Sequence, residues 1–513
     1  MPVNIKPWHI TILLFVILIP VALSINFMQN DEWVHYLTVS NFLSKNFTLY
    51  PIIGSTFYTQ GLMATIFSRI FTVKSLPVLT LIVSVGNFYI FSRIISLYTA
   101  KRSVIILLSL LFFLNPLHIY STFGFMTENY LVFFCLLSLY FFLKFNHKER
   151  KKDFHLALLF TVLAFFVKQN AILLALSFGI YLMVIKKWKY ALSCVFTILI
   201  LLVFYQFVFP QTQTMQEIKG IHLDNFSHAT STYSIIFTSL IYLMAFVGPL
   251  ALILILRSVK SLKQGVVLIT ISVVITVLLT HLLNLSFTAR GEFPYFQNIA
   301  ERSGFYANSI NGLKYSFAGN FVFYQILDIF SKLSVGFLVT YLIFNPKRLI
   351  NPLLIFILIN ALSLNLNQSY RTIYDRYLLL SFPMLICFFA YSIKLPLKQF
   401  EKILIGGFVL FLLFLNYQFV ADFILNNRYV WARSKELTES GVAPNKINPS
   451  HAWRMLYPNP KDPKTDAHDY TYIFSYNKDD EDLQNMGYKT SETKKISYPL
   501  SFFIDPYIYL YER

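Results

Sequence analysis

Residues 8–36 read WHITILLFVILIPVALSINFMQNDEWVHY, so that an apolar run of membrane length ends in two adjacent carboxylates, Asp31 and Glu32. The apolar run is long enough to cross a bilayer as a helix. The carboxylates lead into Trp33–Leu43, whose pattern predicts an amphipathic helix at the membrane surface. Carboxylates at such a place are candidates for function, although the dipole at a helix N-terminus favours them as well. The stretch therefore predicts a membrane protein with a candidate site at the end of its first span.

The composition of the whole chain supports a membrane protein. Of the 513 residues, 56% are hydrophobic and only 13% are charged, which is too little charge to cover the surface of a soluble protein. The net charge of +18 comes from Lys and Arg, most of which fall in short loops between apolar runs, as the positive-inside rule describes. We therefore expect a lipid bilayer and no nucleic acid as partner. Cys135, Cys194 and Cys387 lie inside apolar runs and form no metal-binding or disulfide pattern.

The apolar runs predict about thirteen transmembrane helices. They fall at 8–28, 76–98, 103–118, 129–145, two short spans within 154–185, 190–209, 233–256, 265–284, 320–344, 350–366, 375–393 and 402–425. Because basic loops alternate with the others, we place the N-terminus in the cytoplasm and the C-terminus outside. The segment 29–75 is too polar and broken to span, and it is predicted to be an outer loop with interfacial helices at Trp33–Leu43 and Tyr58–Val73.

The composition changes near residue 426, where polar and charged residues, Pro and Tyr become frequent. We divide the chain into a transmembrane part, 1–425, and a small extracytoplasmic domain, 426–513. Within the second part, Tyr470–Tyr476 and Tyr507–Tyr511 read as short strands. The predicted fold is therefore an all-α polytopic membrane protein with a small mixed α/β C-terminal domain, which is too small to bury much core alone and is expected to pack on the membrane part.

Four polar features fall on the outer side of this topology. They are Asp31-Glu32, Glu128, Lys168-Gln169, and the group Arg371, Asp375 and Arg376. Carboxylates supply a general base or bind a metal ion, and cations bind phosphate and stabilise a leaving group. The combination indicates an enzyme that handles an anionic lipid head group.

The ordered set resembles the C-type (GT-C) glycosyltransferase superfold, in particular the bacterial relatives of protein O-mannosyltransferases and lipid A aminoarabinose transferases. The resemblance rests on Asp31-Glu32, Asn115-Pro116 with Glu128, the run Phe160–Gln169, and Asp375-Arg376-Tyr377-Leu378-Leu379-Leu380-Ser381-Phe382-Pro383. Glu128 stands where relatives often have Asp. The resemblance implies transfer of a sugar from a polyprenyl-phosphate donor to a glycan, lipid or protein acceptor, with inversion, at the outer face of a bacterial inner membrane.

Each carboxylate of this set has two interpretations. Asp31 is the predicted catalytic base, against a helix cap. Glu32 could bind a metal or orient the acceptor, against a solvated carboxylate. Glu128 is a third catalytic candidate, against a role in capping the fourth span. Asp31 and Glu32 with His35, one helical turn after Asp31, could share a divalent metal ion, and the sequence leaves metal dependence open.

The cations are the candidates for binding the donor phosphate. Lys168 interrupts an apolar stretch, which favours a phosphate contact over snorkelling to the interface, and Gln169 follows it. Arg376 could clamp phosphate bidentately or mark the interface. Tyr377 and Arg371 complete the predicted substrate-binding group, while Arg290 and Arg302 are weaker candidates.

Two other functions compete with glycosyl transfer. A flippase for lipid-linked saccharides, or a polysaccharide exporter, would be non-enzymatic and predicts charged residues deep in several spans together with internal symmetry, neither of which is clear in the sequence. A polysaccharide polymerase would carry a large outer loop between spans, whereas the largest outer segment here is C-terminal.

Overall fold

The computed structural model of the protein describes residues 6–218, 229–282, 299–301, 304–305, 310–312, 322–366, 374–458, 470–501 and 506–513. Its helices are α1 (Pro7–Leu23), α2 (Glu32–Leu43), α3 (Tyr58–Ile70), α4 (Leu76–Ile95), α5 (Arg102–Phe113), α6 (Pro116–Tyr120), α7 (Glu128–Lys148), α8 (Lys151–Phe165), α9 (Ile172–Val184), α10 (Trp188–Phe207), α11 (Gln213–Ile218), α12 (Ala229–Ser258), α13 (Leu262–Leu282), α14 (Val322–Phe344), α15 (Pro352–Leu366), α16 (Ser381–Ile393), α17 (Gln399–Glu439), α18 (His451–Leu456) and α19 (Glu481–Asn485). Its strands are β1 (Ala300–Glu301), β2 (Gly304–Phe305), β3 (Ile447–Asn448), β4 (Tyr472–Ser475), β5 (Lys489–Lys495) and β6 (Tyr507–Glu512).

Among these described residues, eight helices are long and apolar enough to cross a membrane. They are Val73–Ile95, Glu128–Lys148, Trp188–Phe207, Tyr233–Ser258, Leu262–His281, Val322–Phe344, Asp375–Ile393 and Gln399–Glu439. Four shorter apolar helices accompany them, at Pro7–Leu23, Arg102–Phe113, Gln169–Val184 and Pro352–Leu364. The molecule is therefore a helical membrane protein, as the composition predicted.

Burial divides the helices into a centre and a periphery. α12 is almost wholly buried against α14, α15 and α16. By contrast, α10 and α13 expose most of their apolar side chains, among them Phe196, Phe207 and Val277. An apolar surface of this extent is stable in contact with lipid tails and unfavourable in water.

The connections between the helices lie at two ends of the bundle. At one end, Lys187 pairs with Glu149 at 2.6 Å, and Arg257 pairs with Glu401 at 2.5 Å. We call this end the basic face, defined by the loops 99–102, 149–152, 186–189, 257–263, 345–351 and 394–402. At the opposite end, α2 and α3 lie over the bundle, and the backbone N–H of Phe57 donates to the carbonyl of Val167. We call this end the site face.

The surface helices form close to where the sequence predicts them. α2 begins one residue before the predicted Trp33, and α3 begins at Tyr58 but ends at Ile70 rather than Val73. The predicted span 103–118 was wrong at its end, because α5 stops at Phe113. Proline is favoured at the first position of a helix, and Pro116 starts the separate helix α6, which Asn115 caps by accepting the N–H of Leu117 at 3.0 Å.

The C-terminal region is a small four-stranded sheet with strand order β3-β4-β6-β5, in which only β3 and β4 are parallel. β4 and β6 confirm the strands predicted from the sequence. One face of the sheet packs on α17, through Phe474 and Leu510 against Val430 and Leu437. α17 is a single helix of 41 residues that continues past the predicted boundary at residue 425. The sheet is thereby attached to the last turns of a helix that begins at the basic face.

A test of the helix packing concerns Gly336 in α14. A Cβ atom at this position would lie 2.5 Å from the backbone oxygen of Ser272 in α13. We expect Gly336→Ala to lower the free energy of unfolding by about 1–3 kcal/mol, the usual cost of overpacking.

The matched control is Gly406→Ala in α17, where no atom lies within 4 Å of the added Cβ. Alanine favours a helix over glycine by about 1 kcal/mol, so the control should be neutral or stabilising. Thermal unfolding of the purified protein in detergent measures both variants. Equal midpoints for the two would contradict the α13–α14 contact.

Candidate functional site

Asp31 lies at the N-cap position of α2 but does not cap the helix with its side chain. Its Oδ2 atom instead lies 3.4 Å from Nη1 of Arg376, a residue far along the chain. The Asp31 side chain is 45% exposed, whereas that of Arg376 is only 14% exposed. The carboxylate is therefore accessible from solvent on one side and faces a buried cation on the other.

Glu32 occupies a different environment from its neighbour. It is fully buried, and its carboxylate accepts the backbone N–H of Gln29 at 2.9 Å and that of Phe125. Burial raises the pKa of Glu32 to about 8, against the opposing effect of these two N–H donors. A Cβ at Gly124 would overlap the Glu32 carboxylate. Glu32 thus fastens the start of α2 to the loop before α7 and is neither solvated nor at the cavity described below.

His35 follows one turn later on α2 and is buried. Its ring stacks on Phe57 with centroids 4.9 Å apart, and its Nδ1 atom lies 3.0 Å from the carbonyl oxygen of Phe125. Because a carbonyl oxygen only accepts, Nδ1 carries the proton and Nε2 keeps its lone pair. Burial lowers the pKa of His35 to about 4, although the charges of Asp31 and Glu128 raise it. The imidazole is therefore neutral at physiological pH and offers Nε2 as an acceptor.

Glu128 is the first residue of α7 and is 4% exposed. Neither carboxylate oxygen has a hydrogen-bond partner on another described residue, and the Nζ atom of Lys168 lies 3.6 Å from Oε1. Buried polar atoms in proteins are nearly always hydrogen-bonded. The arrangement leaves Glu128 with hydrogen-bonding capacity that a bound molecule could use.

Lys168 follows the end of α8, where the chain is tied to the loop before α3. The hydroxyl of Thr56 donates to the carbonyl of Phe165, and the N–H of Thr59 donates to the carbonyl of Phe166 at 3.0 Å. Gln169 adds to these hydrogen bonds between the two segments, because its Nε2 donates to the carbonyl of Gly54 at 2.9 Å. Gln169 therefore positions the loop and does not line the cavity.

Arg376 and Tyr377 lie in a short 3-10 helix, Asp375–Leu378, that precedes α16. The buried Asp375 holds this turn by accepting the backbone N–H of Ala300 at 2.8 Å and the hydroxyl of Tyr242 at 3.1 Å. The neighbouring Arg376 then points away from Asp375 towards Asp31. Arg371, the other cation predicted here, lies outside the described residues, as do Arg290 and Arg302.

These side chains meet at one cavity of about 280 Å³ on the site face. Five of the residues predicted from the sequence to act on the substrate line it, namely Asp31, Glu128, Lys168, Arg376 and Tyr377, together with His35. The ring of Tyr377 lies beside both cations, with its centroid 5.0 Å from Nζ of Lys168 and 5.6 Å from Cζ of Arg376. Residues from four distant parts of the chain therefore line the same cavity.

From the sequence, the C-terminal domain was expected to cover the site or bind the acceptor, but the residues through which it reaches the cavity were not singled out. His451 and Met455 on α18 line the cavity, and α18 packs on α2. Burial lowers the pKa of His451, against the charge of Asp31, which raises it. The Ser450 hydroxyl before α18 accepts the indole N–H of Trp431 at 3.0 Å, which fixes the short helix on α17. A histidine in a short polar segment gives no local signal of such a contact.

The divalent metal ion at Asp31, Glu32 and His35 stays a prediction. Within the described part of the chain, no three His, Cys, Asp or Glu side chains come together as metal ligands. Asp31 and Glu128 each face a cation, and Glu32 is bonded to backbone N–H groups. We therefore derive no step through a metal.

The cavity combines two cations that can bind an anion, two carboxylates that can accept a proton and a neutral imidazole. Together these side chains can support a group-transfer reaction in which a hydroxyl attacks and an anion leaves. Comparisons with protein-family models, with curated proteins and with solved structures give no match for this chain.

The burial of Glu32 leads to a prediction about how the free energy of unfolding depends on pH. The pKa of this carboxyl is near 4.5 in an unfolded chain and about 8 in the folded protein. Between these values the folded state binds more protons, so this group makes the free energy of unfolding fall as pH rises. Glu32→Gln cannot ionise, and we expect the variant to lose this fall.

Thermal unfolding in detergent from about pH 5 to about pH 8 measures the effect. The midpoint of Glu32→Gln should rise relative to the unaltered protein across this window. Glu439→Gln, which removes an exposed carboxylate at the end of α17, serves as the control. Parallel profiles for Glu32→Gln and the unaltered protein would contradict the burial of Glu32 as a neutral acid.

Proposed function

We propose that the protein is an integral-membrane glycosyltransferase that moves a sugar from a polyprenyl-phosphate donor to an acceptor hydroxyl. The observation that carries the proposal is the pairing of Lys168 with Glu128 and of Arg376 with Asp31 around one cavity. The cations suit the phosphate of such a donor, and the carboxylates suit the hydroxyl of an acceptor. A glycan, lipid or protein could supply that hydroxyl.

The surroundings of the cavity suit a lipid-linked donor. A smaller void shares Glu128, Lys168, Arg376 and Tyr377 with the cavity, and its remaining walls are mainly the leucine and valine side chains of α7 and of the turn before α16. The void measures only about 10 Å³, so a phosphate carried on a hydrocarbon chain would have to widen it between these apolar side chains. The polyprenyl chain would leave the site along this apolar side, towards the bilayer.

The reaction follows from the positions of the charges. Asp31 accepts the proton of the acceptor hydroxyl, and the acceptor oxygen forms a bond to the anomeric carbon of the sugar. The bond from that carbon to the phosphate oxygen breaks, and its electron pair remains on the polyprenyl phosphate. Lys168 and Arg376 stabilise the added negative charge, a contribution that is commonly the largest in catalysis of this kind. Attack from the face opposite the phosphate inverts the anomeric centre.

The ion pairs impose an order on binding. In the structure each cation faces a carboxylate, so a donor phosphate must replace Asp31 at Arg376 and Glu128 at Lys168. Once the phosphate is bound, the two carboxylates are left to face the acceptor. The neutral His35 can accept a further hydrogen bond from the acceptor through Nε2. Donor therefore binds before acceptor.

The thirteen-helix topology is part of the proposal. The eight long helices, the four shorter apolar helices and α8 together make thirteen crossings. The positive-inside rule then places the basic face in the cytoplasm. The site face and the C-terminal sheet lie outside, which in a bacterial inner membrane is the periplasm. His451 and Met455 close the cavity from the outer side, where an acceptor would arrive.

A first test separates proton transfer from helix capping at Asp31. Asp31→Asn should lower turnover by about 10²–10⁴-fold, the usual cost of losing a positioned base. Donor binding should be retained or strengthened, because Arg376 loses the carboxylate that competes with the phosphate.

Single-turnover transfer with purified protein and equilibrium binding of a polyprenyl-phosphate sugar measure the two effects. Asp153→Asn is the matched control, since Asp153 pairs with Lys144 at 3.3 Å on the basic face. Glu128→Gln shows whether the second carboxylate shares the role. Turnover by Asp31→Asn at the rate of the control would remove Asp31 from the mechanism. Donor binding without any transfer by the unaltered protein would favour an exporter.

A second test concerns the phosphate. Lys168→Met keeps the length of the side chain and removes its charge, and we expect donor affinity to fall about 10–100-fold, as for a lost hydrogen bond to a charged group. Lys187→Met removes a lysine that is also ion-paired, but on the basic face, and should leave affinity unchanged. Equal affinities in the two variants would leave Lys168 with an interfacial role only.

A further inference from the structure

A second and larger cavity, of about 620 Å³, opens at the basic face. It lies among the C-terminal ends of α12, α14 and α16 and the N-terminal part of α13. We call it the basic-face cavity. α16 begins just after Tyr377 at the first cavity and ends beside the second, so the two lie at opposite ends of the same helix.

Among the described residues, the lining of the basic-face cavity carries four cations, Arg257, Lys260, Arg348 and Lys394, and no Asp or Glu. Arg257 is already neutralised by Glu401, which accepts from Nε at 2.6 Å and from Nη2 at 2.5 Å. The other three cations make no ion pair with any described residue. The cavity therefore concentrates positive charge that no carboxylate in the described part of the chain pairs with.

Two of these groups are held in place. Cζ of Arg348 lies 4.5 Å from the centre of the Tyr391 ring, a cation–π contact that helps to hold the guanidinium. The end of α16 beside Lys394 is fixed by Arg257, whose Nη1 donates to the carbonyl of Ile393 at 2.8 Å. The charges thus stand on ordered elements and not on a free tail.

A buried hydroxyl points to a ligand independently of the charges. Ser392 lines the cavity, is 7% exposed, and its Oγ has no hydrogen-bond partner among the residues that the structure describes. Leaving a buried hydroxyl unpaired costs free energy. An acceptor oxygen inside the cavity would satisfy this group, and phosphate oxygens are acceptors of that kind.

The remaining wall combines the polar Ser258, Gln264 and Asn345 with apolar side chains that continue into the membrane surface. Leu254, Ile255 and Leu268 are buried in the wall, and Phe344 at its edge is 55% exposed. α13 beside it exposes further apolar side chains, such as Val266. A ligand with an anionic head and hydrocarbon chains would match both parts of the cavity, whereas a free anion would match only the cations.

The geometry points to a binding site for an anionic phospholipid of the leaflet at the basic face. Its phosphate contacts Lys260, Arg348 and Lys394 and accepts a hydrogen bond from Ser392, while its acyl chains lie along α13 and α14. Basic pockets between transmembrane helices on the cytoplasmic side commonly hold anionic lipid head groups. The bound lipid bridges α12, α13, α14 and α16 and so stabilises the bundle.

The test compares lipid binding by the full-length protein and by two triple variants in detergent. Lys260→Gln/Arg348→Gln/Lys394→Gln removes the three unbalanced cations. Lys148→Gln/Lys151→Gln/Lys152→Gln removes the same charge from exposed residues elsewhere on the basic face. Each cation near an anionic lipid surface contributes a factor of about five, so the first variant should bind phosphatidylglycerol about 100-fold more weakly. The control should bind it nearly as the unaltered protein does.

Thermal unfolding supplies a second readout. Phosphatidylglycerol should raise the unfolding midpoint of the unaltered protein and of the control, and phosphatidylcholine should not. Ser392→Ala should weaken phosphatidylglycerol binding several-fold without lowering the midpoint of the lipid-free protein. Equal weakening in both triple variants would overturn the site, because it would mean a general attraction to the basic face. Inorganic phosphate that binds as tightly as the lipid would overturn the assignment to a phospholipid.

Discussion

Charges that are buried at the end of an apolar helix bundle are costly unless they lie beside opposite charges, and this constraint shapes the site. Arg376 and Lys168 each face a carboxylate, and the ring of Tyr377 lies beside both cations. Removing these groups from water costs free energy, which each pair offsets only while both members are present. The positive and negative charges in the cavity therefore neutralise each other before any ligand enters. A ligand that brings its own negative charge can replace a carboxylate without leaving a cation alone, and a neutral ligand cannot.

The pairing of charges in the cavity depends on loops that would otherwise move independently. Two buried carboxylates, Glu32 and Asp375, hold these loops by accepting backbone N–H groups from distant segments. Each stands next to a residue of the cavity, Asp31 in one case and Arg376 in the other. In both pairs one member fixes the backbone and its neighbour faces the ligand. Adjacent ionisable residues thus divide the structural and the chemical task between them.

Much of this arrangement follows from the sequence, because the length of apolar runs and the alternation of basic loops assign each polar residue to one end of the bundle. Lys168 and Arg376 were placed together on that ground. The sequence does not predict which of the two adjacent carboxylates is buried. Successive residues on a helix point about 100° apart, so only one of the two can face the cavity, and the structure shows that Glu32 is the buried one.

The boundary expected near residue 426 rested on a change in polarity. α17 continues through it because polarity alone does not end a helix, and it stops just before Gly441, which has a φ of +106° that favours glycine. His451 reaches the cavity only through that continuation.

α17 is a lever. Its 41 residues span about 60 Å, its first turn is held by Arg257 through Glu401, and its last turns carry the sheet and the short helix that closes the cavity. A rod of this length that tilts by about 5° at its base moves its far end by about 5 Å, close to one helical turn. Helix tilt responds to the thickness of the surrounding bilayer. A change in the tilt of α17 would therefore be transmitted to the sheet and to α18 above Asp31.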